Sequence, residues 1–198
     1  MTTEPLNRFL PQLETDRLVI RPLAAGDLED CHRLRIDIGW ADAAASDEQN
    51  RELRRSWLEW TIAGYREFAR LHQPQYGERA ITSKTGAFLG LIGMVPSMAP
   101  FGQLPSEGGV PSALATPEVG LFWALSPHAQ GKGLATEAAH RFVAHLFSEL
   151  RLARVVATTE HDNARSIGVM RRLGMRIESN PFPEPHFLQV VGILDSHQ

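Results

Sequence analysis

Six residues near the middle of the chain have the types and spacing of an anion-binding loop. Gln130-Gly131-Lys132-Gly133-Leu134-Ala135 follows an apolar run rich in strand formers that ends at Ser126-Pro127. A helical pattern of apolar residues begins directly after the second glycine. The first N–H groups of a helix have no intrahelical partner and lie at the positive end of the helix dipole. A strand that enters a helix through such a turn therefore offers a site for a phosphate or another anion.

The spacing of the glycines separates this loop from two other phosphate-binding motifs. The motif G-x-x-x-x-G-K-[ST] is not met, because Ser126 stands at its first glycine position and Gly133 follows the lysine. The motif G-x-G-x-x-G is not met either, because Thr136 stands at its third glycine position. Gly131 and Gly133 lack a Cβ, so the backbone can approach a phosphate closely and adopt positive φ. A plain tight strand-to-helix turn remains the structural alternative.

The loop fits the pattern Q/R-x-x-G-x-G/A and so resembles the pyrophosphate loop of the GNAT superfamily of N-acetyltransferases. Two further strings resemble the same family. T-x-R-L-x-I-R-P-L at residues 15–23 is similar to the opening strand of the branch that includes the ribosomal-protein N-terminal acetyltransferases (RimJ/RimL-like). N-x-x-S-x-x-x-x-x-x-L-G-M at residues 163–175 is the third match. The three strings keep the order of the family, and the resemblance covers roughly residues 13–194.

The resemblance implies a fold of the α/β (α+β) class. We expect a mixed, mostly antiparallel central sheet of about seven strands with helices on both faces, in one domain over residues 1–198. Its core spans about residues 13–194, and residues 1–12 are expected to form a loose arm. Periodicity predicts a strand over 14–23 and helices over 27–38 and 46–71. The second helix carries an apolar stripe expected to face the core: Leu53, Trp57, Trp60, Gly64, Phe68 and Leu71. The resemblance also implies that this pair of helices borders the acceptor groove, so the alternative is that some of these residues face the substrate.

One long connection interrupts this pattern. Residues 96–117 have no consistent periodicity, and such a long connection inside a compact domain is usually functional or disordered. It is expected either to fold over the acceptor site or to form an excursion without a role.

The resemblance also implies where acetyl-CoA binds. The pyrophosphate is expected on backbone N–H groups of Gln130, Gly131, Lys132, Gly133, Leu134 and Ala135, with the Lys132 ammonium either near it or in solvent. The pantetheine arm is expected in a V-shaped gap between the fourth and fifth strands, paired with the backbone of Trp123, Ala124 and Leu125. Asn163 matches the asparagine of the family that faces pantetheine. Its structural alternative is to cap the helix that begins there.

The expected reaction is direct attack of an amine on the thioester, which requires a base or a water relay to take a proton. Glu118, Glu160 and His161 are candidate bases, and each is also a plausible surface residue. Ser166 matches a serine proposed to protonate the departing thiolate, whereas Met170 stands where many GNAT enzymes have a tyrosine. The acceptor is a peptide or protein N-terminus or a small-molecule amine. The alternative function is an inactive GNAT-fold module that senses acyl-CoA without transferring the acetyl group.

Composition narrows the classes of partner and location. The 198 residues carry a formal charge of -3, with a pI near 6.2, which argues against nucleic acid as the main partner. The single cysteine, Cys31, cannot form an internal disulfide and suits a reducing cytoplasm. No apolar run approaches the ~20 residues of a membrane span, and no secretory signal is visible. The histidines lack metal-binding spacing, so no metal is expected. A homodimer is possible, although nothing in the sequence defines an interface.

Overall fold

A computed structural model describes residues 11–196. Its strands are β1 (Leu13–Glu14), β2 (Leu18–Pro22), β3 (Gly77–Ser83), β4 (Phe88–Ala99), β5 (Thr116–Leu125), β6 (Arg154–Thr159), β7 (Arg176–Ser179) and β8 (Val190–Asp195). Its α-helices are α1 (Leu28–Asp37), α2 (Asp47–Arg70), α3 (Leu134–Ser148) and α4 (Ala164–Arg172). Within the described residues, none of these helices is long and apolar enough to cross a lipid bilayer. The expected arm falls mostly on residues 1–10, which lie outside the described residues.

The eight strands form one sheet in the order β1-β2-β3-β4-β5-β6-β8-β7. Parallel pairing occurs between β5 and β6, where Gly120 is the partner of Val156. The neighbouring pairs β1–β2, β2–β3, β6–β8 and β7–β8 are antiparallel. The mixed, mostly antiparallel sheet therefore agrees with the predicted class.

The first strand of the sequence prediction is wrong in one respect, because it divides into two. The Thr15 N–H donates to the carbonyl of Leu18 at 3.0 Å, and the Leu18 N–H donates to the Thr15 hydroxyl at 2.9 Å. These bonds close a turn that returns the chain, so Leu13 and Glu14 pair with Ile20 and Val19. A side chain that competes for backbone N–H groups explains the break. It also explains eight strands where about seven are expected.

Two compact units are distinguished by their internal contacts. The first comprises residues 11–93 and 123–145, and the second comprises residues 94–122 and 146–196. The assignment of the whole chain to a single domain stays a prediction.

In the first unit, α1 and α2 begin at sites that the sequence marks. The Ser46 side chain accepts from the Gln49 N–H, and the Gln49 side chain accepts from the Ser46 N–H, which is the capping box predicted there. Before α1, Arg21 holds both carboxylate oxygens of Asp27 at 2.7 and 2.8 Å. The Ala24 N–H donates to the same carboxylate at 2.8 Å. These bonds attach the start of α1 to the end of β2.

The predicted apolar stripe of α2 does not face the core. Leu53, Trp60 and Leu71 are 62%, 63% and 67% exposed. The buried positions are instead one residue further round the helix: Arg54, Leu58, Thr61 and Tyr65. Hydropathy alone missed this face because half of it is polar. Its Tyr65 hydroxyl donates to the carbonyl of Glu78 at 2.5 Å and accepts from the Leu23 N–H at 3.2 Å, which fixes the rotation of the helix.

In the second unit, residues 96–117 are more ordered than the sequence suggests. β4 continues to Ala99, and two short 3-10 turns follow over Phe101–Gln103 and Pro105–Glu107. The buried side chains of Ala99, Phe101 and Leu104 join a core cluster with β6 and the C-terminal strand: Val156, Leu188, Val191 and Ile193. The first part of this segment therefore closes part of a core, and the alternative of a mobile excursion without a role stays untested. Its relation to an acceptor stays a prediction.

Candidate functional site

The predicted anion loop connects β5 to α3 and is held at both ends. At the strand end, the Ser126 N–H donates to the Leu89 carbonyl at 2.9 Å, and a 3-10 turn covers Pro127–Ala129. The Gln130 side chain then reaches back and donates to the Leu125 carbonyl at 2.8 Å. The first residue of the motif thus fixes the loop against the strand that feeds it.

The two glycines give the loop its conformation. Gly131 and Gly133 have φ of +73° and +75°, a region that residues with a Cβ rarely occupy. A Cβ built on Gly131 would meet nothing within 4 Å, so the backbone there borders open space. The motif therefore has the geometric use that its spacing predicts.

The N–H groups of this turn are available for a ligand. In the described part of the chain, the backbone N–H groups of residues 131–136 donate to no acceptor, and the first inward bond is Glu137 N–H to Gly133 carbonyl at 3.0 Å. Six successive N–H groups without acceptors, at the positive end of a fifteen-residue helix, form an anion cradle. Of the predicted site residues, Trp123, Ala124, Leu125 and residues 130–135 are brought together here.

The carboxylate of Glu137 connects the anion cradle to the turn between β1 and β2. Glu137, in the first turn of α3, accepts from the Thr15 hydroxyl at 2.6 Å and from Arg17 Nε at 2.6 Å. Arg17 also donates to the Lys132 carbonyl at 3.1 Å, so one guanidinium holds both the loop and the helix. Sequence reasoning missed Thr15, Arg17 and Glu137 as contributors to the site. The string that contains Thr15 and Arg17 is a signal for two of them, although by itself it indicates only a strand and a turn.

The ionisation of Glu137 follows from these contacts. Burial opposes the charged form, but the hydrogen bonds from Thr15 and Arg17 outweigh it and lower the pKa of Glu137. A carboxyl group with a lowered pKa stabilises the folded state fully above its unfolded pKa of about 4.3. That contribution is lost as the pH falls through the folded value.

Glu137→Gln is expected to lower the free energy of unfolding by about 1 kcal/mol at pH 7, a modest value because Arg17 is half exposed and solvent screens the pair. The difference from the wild-type protein should shrink as the pH falls below the unfolded pKa of about 4.3 and through the lowered folded pKa, where the wild-type carboxylate itself takes up a proton. Urea unfolding at several pH values measures this. Glu59→Gln, at an exposed glutamate of α2, is the control and should show no such trend. If the stability difference between Glu137→Gln and wild type does not change with pH, the ionised Glu137 carboxylate does not stabilise the fold through Thr15 and Arg17.

The candidate bases lie in the second unit, in different settings. The Glu118 carboxylate lies 3.5 Å from Arg154, which also pairs with Glu107 at 3.2 Å and Asp195 at 2.7 Å. Glu118 is therefore part of an ion network. Glu160 is exposed and accepts from the Thr159 hydroxyl at 3.2 Å. His161 is also exposed, and its backbone N–H donates to the Gln189 side chain at 3.0 Å.

Asn163 and Ser166 lie together at the start of α4. The Asn163 side-chain oxygen accepts from the Ser166 N–H at 3.1 Å, so Asn163 caps the helix as its structural alternative requires. The amide NH2 of Asn163 has no partner among residues 11–196. Both side chains are half-buried. Met170, at the position of the tyrosine of other GNAT enzymes, is fully buried in the core.

Comparison with known proteins gives the class of this chain. Residues 17–176 match the model of the acetyltransferase (GNAT) domain. The chain belongs to the GNAT acetyltransferase family, and it is therefore an acyltransferase by class.

Individual relatives share the fold and, in part, the sequence. The chain superposes on an acetyltransferase from Agrobacterium tumefaciens str. C58 with a TM-score of 0.65 and 23% identity, over 96% of this chain and 95% of the other. A ribosomal L7/L12 alpha-N-protein acetyltransferase, RimL, in complex with coenzyme A gives a TM-score of 0.61 at 14% identity, over 92% and 95% of the two chains. Mycobacterium smegmatis RimJ in complex with a CoA disulfide gives a TM-score of 0.60 at 18% identity, over 90% of this chain and 82% of the other. These likenesses confirm the predicted fold.

One relative matches the sequence over a shorter segment of the chain. The chain is 41% identical over 63 residues to the uncharacterized N-acetyltransferase YnaD of Bacillus subtilis (strain 168). That match covers 32% of this chain and 36% of the length of the relative.

Proposed function

We propose that the protein transfers the acetyl group of acetyl-CoA to an amine. The observation that carries this proposal is the anion cradle of residues 131–136, whose N–H groups have no acceptor at the start of α3 among the described residues. A pyrophosphate needs such a set of backbone donors beside a helix N-terminus. Family membership supports the class of reaction, and the cradle supports a binding site for the donor substrate.

The residues of the first unit fit this donor. Gly131 and Gly133 leave room for a phosphate, and the exposed Lys132 side chain adds a mobile positive charge. The backbone of Trp123, Ala124 and Leu125, just before the cradle, would pair with the pantetheine arm as a strand does. One of these N–H groups would polarise the thioester carbonyl as an oxyanion hole does. Asn163 belongs to the second unit, and by its match to the asparagine of the family it would contact pantetheine through its amide NH2 while its oxygen caps α4.

In the transfer itself, the neutral amine nitrogen attacks the carbonyl carbon of the thioester, and the carbon–sulfur bond breaks. The amine proton passes to a base, directly or through water. Glu160 has the more accessible carboxylate of the two predicted glutamates, since Glu118 is engaged by Arg154. The thiolate of CoA takes up a proton, and Ser166 would guide it. A thiol with a pKa of about 8.5 needs only weak acid assistance near neutral pH.

The acceptor is proposed to be a protein or peptide α-amino group or a small-molecule amine. The RimL of known structure acts on ribosomal L7/L12, but its identity of 14% to this chain supports the fold alone. The protein is expected in the cytoplasm, as a monomer or homodimer. An inactive module that senses acyl-CoA is the alternative function.

Isothermal titration calorimetry with acetyl-CoA tests the proposal, with ATP and NADH as control ligands. We expect selective binding of acetyl-CoA, followed by release of free CoA in the presence of a suitable amine. Folded protein that does not bind acetyl-CoA would refute the assignment of the cradle. Binding without acetylation of any amine in a broad screen would favour the sensor.

Asn163→Ser is expected to weaken acetyl-CoA binding about 3- to 10-fold while leaving the melting temperature within about 2 °C of the wild type. Serine caps a helix about as well as asparagine but lacks the amide NH2 proposed to contact pantetheine. Calorimetry and thermal unfolding measure the two effects. Asn163→Ala removes both functions, and it should also lose about 1 kcal/mol of stability. Unchanged affinity in Asn163→Ser would leave Asn163 as a cap only.

A further inference from the structure

A buried arginine that has no counterion among residues 11–196 lies on the inner face of α2. Arg54 is 8% exposed, and its guanidinium stacks on the Trp57 ring with 4.2 Å to the ring centroid. Its Nε is buried without a hydrogen-bond partner, and Arg54 forms no ion pair with any residue that the structure describes. Buried charges in proteins are normally paired, because an uncompensated ion is costly to remove from water. This arginine therefore requires an explanation other than stability.

Two charged side chains of the same unit lie within electrostatic reach of Arg54. Glu78 on β3 is half-buried and has no ion pair in the described residues, and Arg35 of α1 donates to the Trp40 carbonyl at 2.6 Å. Burial, and next the charge of Arg35, lower the pKa of Arg54 to about 10, so Arg54 stays protonated at pH 7. For the carboxyl group of Glu78, burial has the opposite effect and raises the pKa, although a hydrogen bond from its own backbone N–H and the charges of Arg54 and Arg35 partly oppose this rise. We call Arg35, Arg54 and Glu78 the Arg54 cluster.

The neighbouring groups do not neutralise the Arg54 cluster. The Asp27 carboxylate already accepts hydrogen bonds from Nη1 and Nη2 of Arg21, at 2.8 and 2.7 Å. The Cys31 thiol is neutral, because burial raises its pKa to about 12. With two positive charges and one negative charge, the cluster has one excess positive charge in a poorly solvated place.

The Arg54 cluster lies near the strand residues proposed to hold the acyl arm. A Cβ on Gly93 of β4 would be 2.8 Å from the Glu78 Cα, so these residues lie side by side on β4 and β3. On the other side of β4, Ser126 bonds to Leu89, and antiparallel counting from that bond sets Trp123 opposite Ile92. The backbones of Glu78 and Trp123 are therefore separated by two strand spacings, about 10 Å.

We propose that the Arg54 cluster binds the acceptor and that this acceptor carries a carboxylate as well as its amine. Arg54, supported by Arg35, would bind the carboxylate through its planar pair of N–H donors, while Glu78 would attract the ammonium group. This inference rests on the proposed acetyl transfer. It narrows the acceptor from any amine to a zwitterion of the α-amino acid type.

The charge of the Arg54 cluster favours a carboxylate over a phosphate. One carboxylate brings a single negative charge, which matches the excess of one positive charge. A phosphate monoester brings about −1.5 to −2 and would leave net negative charge in the same buried place. A neutral amine would leave Arg54 without a counterion in the described part of the chain, as it is without ligand.

Ligand binding to the full chain, measured both with and without CoA, tests this proposal before the acceptor itself is identified. Benzoate is the probe, and benzamide, of the same shape but uncharged, is its control. Three proteins are compared by calorimetry and thermal shift: wild type, Arg54→Met and Arg55→Met. Arg55 is the neighbouring exposed arginine on α2 and pairs with Glu52 at 3.1 Å. We expect benzoate, but not benzamide, to bind wild type and Arg55→Met, and to bind Arg54→Met at least tenfold more weakly.

Thermal stability without ligand separates a binding role from a structural one. If Arg54 is a ligand-binding residue, Arg54→Met should melt at the same temperature as wild type or higher, because an unpaired buried charge is removed. A clear fall in melting temperature, together with equal benzoate affinity in all three proteins, would overturn the proposal. Failure of benzoate to bind the wild type would overturn it as well.

Turnover gives the second readout and separates this inference from the proposed function. Free CoA is measured with acetyl-CoA and matched pairs of α-amino acids and their C-terminal amides. We expect kcat/KM at least tenfold higher for the carboxylates, with the preference lost in Arg54→Met. If acetyl-CoA binds and amides react as well as carboxylates, only the assignment of the Arg54 cluster fails. If acetyl-CoA does not bind, the proposed acetyl transfer fails, whereas the benzoate measurement still tests Arg54.

Discussion

Gly133→Glu is expected to weaken acetyl-CoA binding by at least a hundredfold. The new carboxylate would stand within the anion cradle, where repulsion from a pyrophosphate costs about 3 kcal/mol or more at a partly solvated site. A Cβ at this position would also lie 3.7 Å from Arg17 Nη2, so the new carboxylate would compete with Glu137 for its partner. The φ of +75° adds about 1–2 kcal/mol of backbone strain. Calorimetric titration of the folded variant measures the loss.

Gly86→Glu is the matched control for that variant. Gly86, in the turn between β3 and β4, has φ of +89°, and a Cβ there would meet nothing within 4 Å, so the change adds the same strain and the same charge away from the cradle. It should lose similar stability and keep acetyl-CoA affinity within about twofold, since only long-range repulsion remains. Equal affinities in the two variants would show that the cradle does not hold the pyrophosphate.

Gly93→Ala is expected to cost at least about 3 kcal/mol of stability, which lowers the melting temperature by roughly 6–12 °C in a chain of this length. The added Cβ would lie 2.3 Å from the Gly77 carbonyl oxygen and 2.8 Å from the Glu78 Cα. Both are backbone atoms, so no side chain can rotate away and the strands β3 and β4 must separate. Differential scanning calorimetry measures the change.

Gly26→Ala provides the comparison for Gly93→Ala. A Cβ on Gly26 would meet nothing within 4 Å, and its stability should change by no more than about 0.5 kcal/mol. If Gly93→Ala is as stable as Gly26→Ala, then β3 and β4 do not approach each other this closely, and the position of Glu78 beside β4 is wrong too.

Features set by neighbouring residues were the ones that the sequence predicted well. The glycines of the cradle, the Ser46 cap of α2 and the Asn163 cap of α4 each act within a few residues of their own position. Spacing along the chain is sufficient evidence for such features. The apolar period of α3 and the strand that precedes it are local in the same sense.

Features that depend on distant residues could not be predicted. In the sequence, Glu137 is one more charged residue of α3. Its role in holding the cradle depends on hydrogen bonds from Thr15 and Arg17, which lie 122 and 120 positions earlier. Arg54 fell outside the apolar stripe of α2, because a hydropathy pattern has no means to place an unpaired charge inside. Residues 101–107 form 3-10 turns that are too short to give a period. The acceptor preference thus had to be inferred from side-chain environments.

The bonds from Arg17 to Glu137 and Lys132 also bear on the order in which the protein assembles. Contacts between residues more than a hundred positions apart form late, because a long loop must close first. The glycine turn and the helix start can form locally, but the cradle is held in place only when the first turn of the chain has docked. A nucleotide ligand would then recognise the finished fold and not its precursors. Its stabilising effect would fall on the rate of unfolding and leave the rate of folding almost unchanged.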